Sequence, residues 1–112
     1  AKIADACEKN HLIPFFDVAY QGFASGSLEE DASSVRLFAE RGIEFFCAQS
    51  YSKNLGLYAE RVGAINAVLS DSAAATKTLS QLNRIARAMY RYGLGAFPNP
   101  GTLFTAPGRV HY

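Results

Sequence analysis

The spacing of apolar and polar positions changes several times along the chain, and each change predicts an element. Ile3, Ala6 and Cys7 fall on one side of a helix covering residues 2–10, and Asn10 is a residue type suited to ending it. Leu12 to Phe16 is a short apolar run, as expected for a buried strand that ends at Asp17. Pro14, which has no backbone N–H, argues for an early or irregular position in that strand. Gln21 to Ser27 contains Gly22, Ser25, Gly26 and Ser27 and reads as a loop. Ser27-Leu28-Glu29-Glu30 fits a capping box, with Ser27 as the N-cap and Glu30 at the third helical position. Ala32, Val35, Phe38 and Ala39 then recur at helical spacing, predicting a helix to about Arg41 that Gly42 terminates. Ile43 to Ala48 is the second strand. Strand, crossover helix and strand in this order make a βαβ unit, which implies parallel pairing. Arg61 to Leu69 is a weaker third strand. Ser70-Asp71-Ser72 caps a last helix to about Tyr90, with Leu79, Leu82, Ile85, Ala86 and Met89 as its apolar face. Seven glycines and prolines crowd the last 22 residues, so residues 91–112 are expected to be mostly irregular.

This order of elements predicts an α/β fold in one small domain, which is what 112 residues can support. Composition adds only exclusions. With 49% hydrophobic and 19% charged residues the chain is ordinary for a globular protein. A net charge of +1, with no basic run, gives no reason to expect nucleic acid or an anionic membrane as partner. No apolar stretch approaches the roughly 20 residues of a membrane span. The N-terminus, Ala1-Lys2-Ile3-Ala4-Asp5-Ala6, has no signal region, and the chain reads as the middle of something longer. Cys7 and Cys47 read as free thiols of a reducing compartment. Neither they nor His11 and His111 form a metal or triad pattern, so no metal site is expected.

The candidate chemistry gathers at one place. Lys53 lies just past the second strand, and Asp17 at the end of the first. Ligands of open α/β sheets bind outside the carboxyl ends of strands. Tyr20 follows Asp17 by three residues, Ser50 precedes Lys53 by three, and Arg61 follows it by eight. An acid, a phenol, a lysine, a serine and an arginine thus converge by topology. Taken singly, each has a plain structural reading: a turn former, a half-buried aromatic, a loop lysine, a turn cap, a surface cation. Taken together, the set suits pyridoxal phosphate. Lysine can form a Schiff base with its aldehyde, and a carboxylate can keep its pyridine nitrogen protonated. A phenol can hydrogen-bond its 3-oxygen, and arginine and serine can hold its phosphate. Ser50-Tyr51-Ser52-Lys53 also matches S-x-x-K, in which Ser50 would be an acylated nucleophile one helical turn from Lys53. The companion motifs are absent, and Asn54 and Gly56 weaken the required helix.

Ile13 to Gly26 (IPFFDVAYQGFASG) and Ser50 to Gly63 (SYSKNLGLYAERVG) resemble the aspartate aminotransferases, most of all the plant members. The resemblance covers about residues 1–90. It implies a central part of the large cofactor-binding domain of a fold-type-I pyridoxal-phosphate enzyme, with a mainly parallel sheet, followed by an unrelated tail at 91–112. It implies Lys53 as the Schiff-base lysine, Asp17 as the partner of the pyridine nitrogen, and Tyr20 as the donor to the 3-oxygen. Ser50 and Arg61 would be phosphate ligands. Arg87 would bind a substrate's side-chain carboxylate across the interface of a homodimer. The implied reaction moves an amino group between L-aspartate and 2-oxoglutarate. The remaining site groups of the family lie outside this segment, so the isolated chain is expected to be inactive. The alternative expectation is a non-catalytic product or an interaction module that pairs with intact subunits. A soluble intracellular setting is expected, in cytosol, plastid or mitochondrion.

Overall fold

The computed structural model describes residues 1–59, 63–90 and 102–105. Its first helix, α1 (Lys2–Lys9), buries Ala4 and Cys7 and leaves Ile3 and Ala6 exposed. The inward stripe is therefore rotated from the expected Ile3–Ala6–Cys7 face. The helix closes with a Schellman turn: the N–H of Leu12 reaches the carbonyl of Cys7 at 2.9 Å, and that of His11 the carbonyl of Glu8 at 3.3 Å. The residue that takes the left-handed conformation is His11, at φ 52°, where a glycine is the usual occupant.

That turn moves the first strand. β1 is Phe15–Val18, not Leu12–Phe16, and Asp17 lies inside it. Leu12 and Ile13 are consumed by the helix exit and stay exposed. Pro14 still contributes its carbonyl, which accepts the N–H of Phe46 at 3.0 Å. Beyond the loop, Ser27 is the N-cap as expected, its hydroxyl accepting the Glu30 N–H at 3.3 Å. The predicted single helix is two pieces, α2 (Leu28–Asp31) and α3 (Ser33–Glu40), separated at Ala32. The break follows Asp31, whose carboxylate is engaged by the preceding loop. α3 ends at Gly42, φ 70°, with paired bonds from Gly42 N–H to the Ala39 carbonyl and from Ile43 N–H to the Phe38 carbonyl, both 3.0 Å.

β2 (Phe45–Ser50) pairs in parallel with β1, in the register Phe15↔Phe46 to Val18↔Gln49. β3 (Gly63–Val68) pairs antiparallel with β2, from Phe45↔Val68 to Ser50↔Gly63. α4 (Ser72–Tyr90) starts at Asp71, whose carboxylate accepts the N–H groups of Ala73 and Ala74. It buries Ala75 and packs beside β3, while Ile85, expected on its apolar face, is exposed. The expected face member Met89 has its side chain outside the described residues. β4 (Thr102–Thr105) joins β3 in parallel, so four residues of the tail read as irregular are strand. The sheet order is β1-β2-β3-β4. Two of its three pairings are parallel, and the architecture is α/β as expected.

One face of the β1–β2 pair carries the core. Phe16 and Val18 alternate inward from β1, and Phe45 and Cys47 from β2, against Ala4 and Cys7 of α1 and Val35 and Phe38 of α3. Phe16, Phe38 and Phe45 meet edge to face, with centroids 5.0, 5.3 and 6.4 Å apart. Such pairs add about 0.5–1.5 kcal/mol beyond their burial. Arg41, just after α3, bridges back to Asp5 at 2.7 Å and to Glu8, which ties the two covering helices together. The opposite face is open among the described residues: Phe15 is 64% exposed, and Asp17 is exposed beside it.

Candidate cofactor site

Side-chain alternation decides what the open face presents. Asp17 is paired with Ala48 across the parallel ladder. Residues two apart on a strand share a face, so Ser50 lies on the same side as Ala48 and Asp17, at the carboxyl end of β2. This is the face opposite Phe16, Phe45 and Cys47. The charge of Asp17 still reaches the buried Cys47 thiol. Burial first, and then that carboxylate, push the thiol's pKa above its ordinary value. Cys7 and Cys47 are both unpaired and buried.

Past Ser50 the chain turns instead of forming a helix. Leu55 and Leu57 N–H both reach the Tyr51 carbonyl at 3.3 Å, and Gly56 N–H reaches that of Lys53 at 3.2 Å. Ser50 Oγ accepts the Ser52 N–H at 3.3 Å, and Ser52 is buried. Ser50 is a strand terminus and Lys53 a turn residue, so the helical arrangement that the S-x-x-K reading requires does not exist here. The turn lifts Lys53 over the ring of Tyr20, with Nζ 5.1 Å from the centroid. A cation at that distance from an aromatic face is attracted by its quadrupole. The side-chain oxygen of Asn54, next in sequence, is buried without a hydrogen-bond partner.

Tyr20 is carried by the loop after β1, and that loop is tightly tethered. Phe23 N–H closes a turn on the Tyr20 carbonyl at 3.0 Å. Gln21 donates to the Leu28 carbonyl at 3.2 Å and accepts from Gln49 at 2.9 Å. Gln49 in turn accepts from Asn66 at 3.1 Å. The chain of amides crosses from the loop through β2 to β3. Asp31 gathers the N–H groups of Gly22, Ala24 and Ser25 and the Ser25 hydroxyl. The hydroxyl first, and the three backbone donors with it, hold the Asp31 carboxyl below the usual carboxylate range despite some burial. None of Asp31, Gln21, Gln49, Ser52, Asn54 or Asn66 stands out in the sequence. Asp31 looks there like an acid suited to a helix's first turn, and the amides like strand and loop filler.

The site residues expected from the sequence therefore fall into two groups. Asp17, Tyr20, Ser50 and Lys53 are brought to one end of β1 and β2. Arg61 lies outside the described residues, and so does the side chain of Arg87, whose backbone is in α4. Among the described residues no cluster of three or more His, Cys, Asp or Glu could hold a metal ion, and no helix is long and apolar enough to cross a membrane.

Comparison with known proteins decides the family, because the model of aminotransferase class I and II matches residues 1–99. The chain belongs to this family. The class I and II match extends past the resemblance read from the sequence, which stopped near Tyr90. The chain is 75% identical over 89 residues to the chloroplastic aspartate aminotransferase of Arabidopsis thaliana, covering 80% of this chain and 20% of that protein. Other similar aspartate aminotransferases are named as mitochondrial or cytoplasmic. Among solved structures, the aspartate aminotransferase of Trypanosoma cruzi superposes with a TM-score of 0.75 at 52% identity, covering 80% of this chain and 23% of that one. The aromatic-amino-acid aminotransferase of Burkholderia pseudomallei, described as covalently bound to pyridoxal phosphate, gives a TM-score of 0.75 at 42% identity, with coverages of 80% and 22%. The chain thus spans about a fifth of the length of the aminotransferases it resembles.

Proposed function

We propose that the open end of β1 and β2 is the central part of a pyridoxal-phosphate site, and that the parent enzyme transfers an amino group between L-aspartate and 2-oxoglutarate. The observation that carries this reading is Lys53 Nζ poised 5.1 Å over the Tyr20 ring, at the strand ends where Asp17 and Ser50 share one face. The donor set fits the cofactor: an amine for an aldehyde, a carboxylate for a pyridinium, a phenol and a hydroxyl as hydrogen-bond donors. When bound, pyridoxal phosphate supplies an electron sink for the bond to the substrate α-carbon.

Each residue then has a defined task. Lys53 is the residue whose amine would hold the aldehyde, and once the incoming substrate amine had displaced it, that freed amine would carry the proton at the substrate α-carbon. The Tyr20 ring holds the ammonium in place before reaction, and its hydroxyl donates to the 3-oxygen. Asp17 keeps the pyridine nitrogen protonated by opposing charge. Ser50 supplies a hydroxyl to the phosphate, although its oxygen also accepts the Ser52 N–H. Arg61 would add a charged fork to the phosphate, and Arg87 would reach the dicarboxylic substrate of a neighbouring subunit in a homodimer.

Absorbance spectroscopy of the 112-residue chain with pyridoxal phosphate tests this. A visible band that Lys53→Ala removes is the expected result. An identical spectrum in the variant would mean that surface lysines alone react. Turnover of aspartate by the chain by itself is expected to be negligible, because the site is an open sheet face; aspartate-dependent turnover lost in Lys53→Ala would overturn that. The exposed Phe15, Leu12 and Ile13 favour a second reading, a module that pairs with intact aminotransferase subunits. Co-purification with such subunits would support it.

A further inference from the structure

We infer that Asp31 is a positioning residue that fixes the loop from Tyr20 to Ser25 and thereby keeps the Tyr20 ring against Lys53. The inference rests on the roles given above to Tyr20 and Lys53.

The geometry is specific. One carboxylate oxygen of Asp31 accepts the N–H of Gly22 at 2.7 Å and that of Ala24 at 3.1 Å. The other accepts the Ser25 N–H at 3.2 Å and the Ser25 hydroxyl at 2.8 Å. Three backbone donors within four residues thus converge on one anion, which requires the loop to curl around it. Gly22 allows the curl, at φ 92°. A side chain there would be strained by that backbone and would also meet Leu28 at 3.0 Å. The Tyr20–Phe23 turn, closed by the Phe23 N–H on the Tyr20 carbonyl at 3.0 Å, overlaps this curl at Gly22 and Phe23, so the curl restrains the Tyr20 backbone through that turn. The amide chain through Gln21 and Gln49 holds the same loop from the strand side. It is made of neutral pairs, whereas the Asp31 bonds are charge-assisted and stronger. Removing the carboxylate leaves three amides to find water, and the loop is then free to open.

The test uses the full 112-residue chain, isotope-labelled, as wild type, Asp31→Ala, Asp31→Asn and Tyr20→Leu. Tyr20→Leu defines the Lys53 ε-methylene chemical shifts in the absence of the ring. In Asp31→Ala the shifts are expected to move most of the way to those values. Amide exchange at Gly22, Ala24 and Ser25 should rise about tenfold or more, with Phe45 and Cys47 amides still protected. A merely structural role would raise exchange without moving Lys53 relative to the tyrosine ring. Asp31→Asn keeps the size and one acceptor oxygen, so it should fall between; it also serves if the alanine variant does not fold. Lys53 shifts equal to wild type in Asp31→Ala, or in Asp31→Asn where the alanine variant does not fold, would overturn the inference. With pyridoxal phosphate, Asp31→Ala should weaken the Lys53-dependent band. If Lys53→Ala leaves the band intact, the cofactor reading fails while the loop measurements still decide the role of Asp31. If Lys53→Ala abolishes the band but Asp31→Ala changes neither band nor Lys53 shifts, the positioning role fails alone.

Discussion

Gly63→Ala is expected to destabilise the sheet where it supports the candidate site. Gly63 opens β3 opposite Ser50. A Cβ built on it would stand 2.5 Å from the Gln49 carbonyl oxygen, 3.5 Å from that carbonyl carbon and 3.6 Å from the Ser50 Cα. All three are backbone atoms of β2, so no rotamer change relieves the contact. Reaching even 3.0 Å, the lower edge of real Cβ contacts, requires a shift of at least 0.5 Å, about a tenth of the normal spacing of roughly 4.8 Å between strands. Forced overpacking of this kind costs about 1–3 kcal/mol. The sign is diagnostic, because Gly→Ala inside a strand otherwise stabilises by about 0.5–1 kcal/mol. Urea unfolding followed by far-ultraviolet circular dichroism reads the effect. With a slope of about 1–3 kcal/mol/M, the midpoint should fall by about 1 M. The pyridoxal-phosphate band should weaken too, since Ser50 leads directly into the Lys53 turn. An alanine variant with an unchanged or higher midpoint would refute the argument that close β2–β3 approach requires glycine here.

Other perturbations have independent expectations. His11→Gly should raise the midpoint of thermal unfolding by about 2–6 °C, because the left-handed conformation costs a side chain about 1–2 kcal/mol and glycine's added freedom when unfolded returns part of it. Phe45→Ala removes a ring that is 1% exposed and edge-on to Phe16 and Phe38; a loss of about 3–5 kcal/mol is expected by urea titration. Glu44 accepts the hydroxyl and N–H of Ser70 at 2.6 and 2.8 Å, and those donors, the hydroxyl first, lower its pKa. A lowered folded-state pKa contributes stability that is present above the unfolded value and is lost as pH falls through the folded one. Stability measured below about pH 4.5 should therefore decline less steeply in Glu44→Gln than in wild type.

Local signals were readable where a few neighbouring residues settle the outcome. Ser27 caps α2, Asp71 caps α4 and Gly42 ends α3, because each needs only its own side chain or backbone freedom within one turn. The α/β order and the parallel β1–β2 pair follow from the apolar runs and the helix between them. Boundaries set by competition were not readable. The Schellman turn at His11 claims Leu12 and Ile13, which shifts β1 to Phe15–Val18 and places Asp17 inside it. What the periodicity presents as one helix is two, separated at Ala32 beside the Asp31 carboxylate that bonds the loop. β4 forms on the edge of β3; Thr102, Phe104 and Thr105 suit a strand, but the glycines and prolines around so short a run outweigh that signal.

By itself the sequence determined which residue types stand near each strand end, and its two long motifs pointed to the aminotransferases. Only the tertiary structure decided that Lys53 rests over Tyr20, that Asp17 and Ser50 share the uncovered face, and that Asp31 and the Gln21–Gln49–Asn66 chain hold the loop between them. The physical reason is that spacing along a chain specifies local torsion and periodicity, whereas the approach of two side chains depends on strand register. Register is set by how Phe16, Phe38 and Phe45 fill the core on the other side of the sheet.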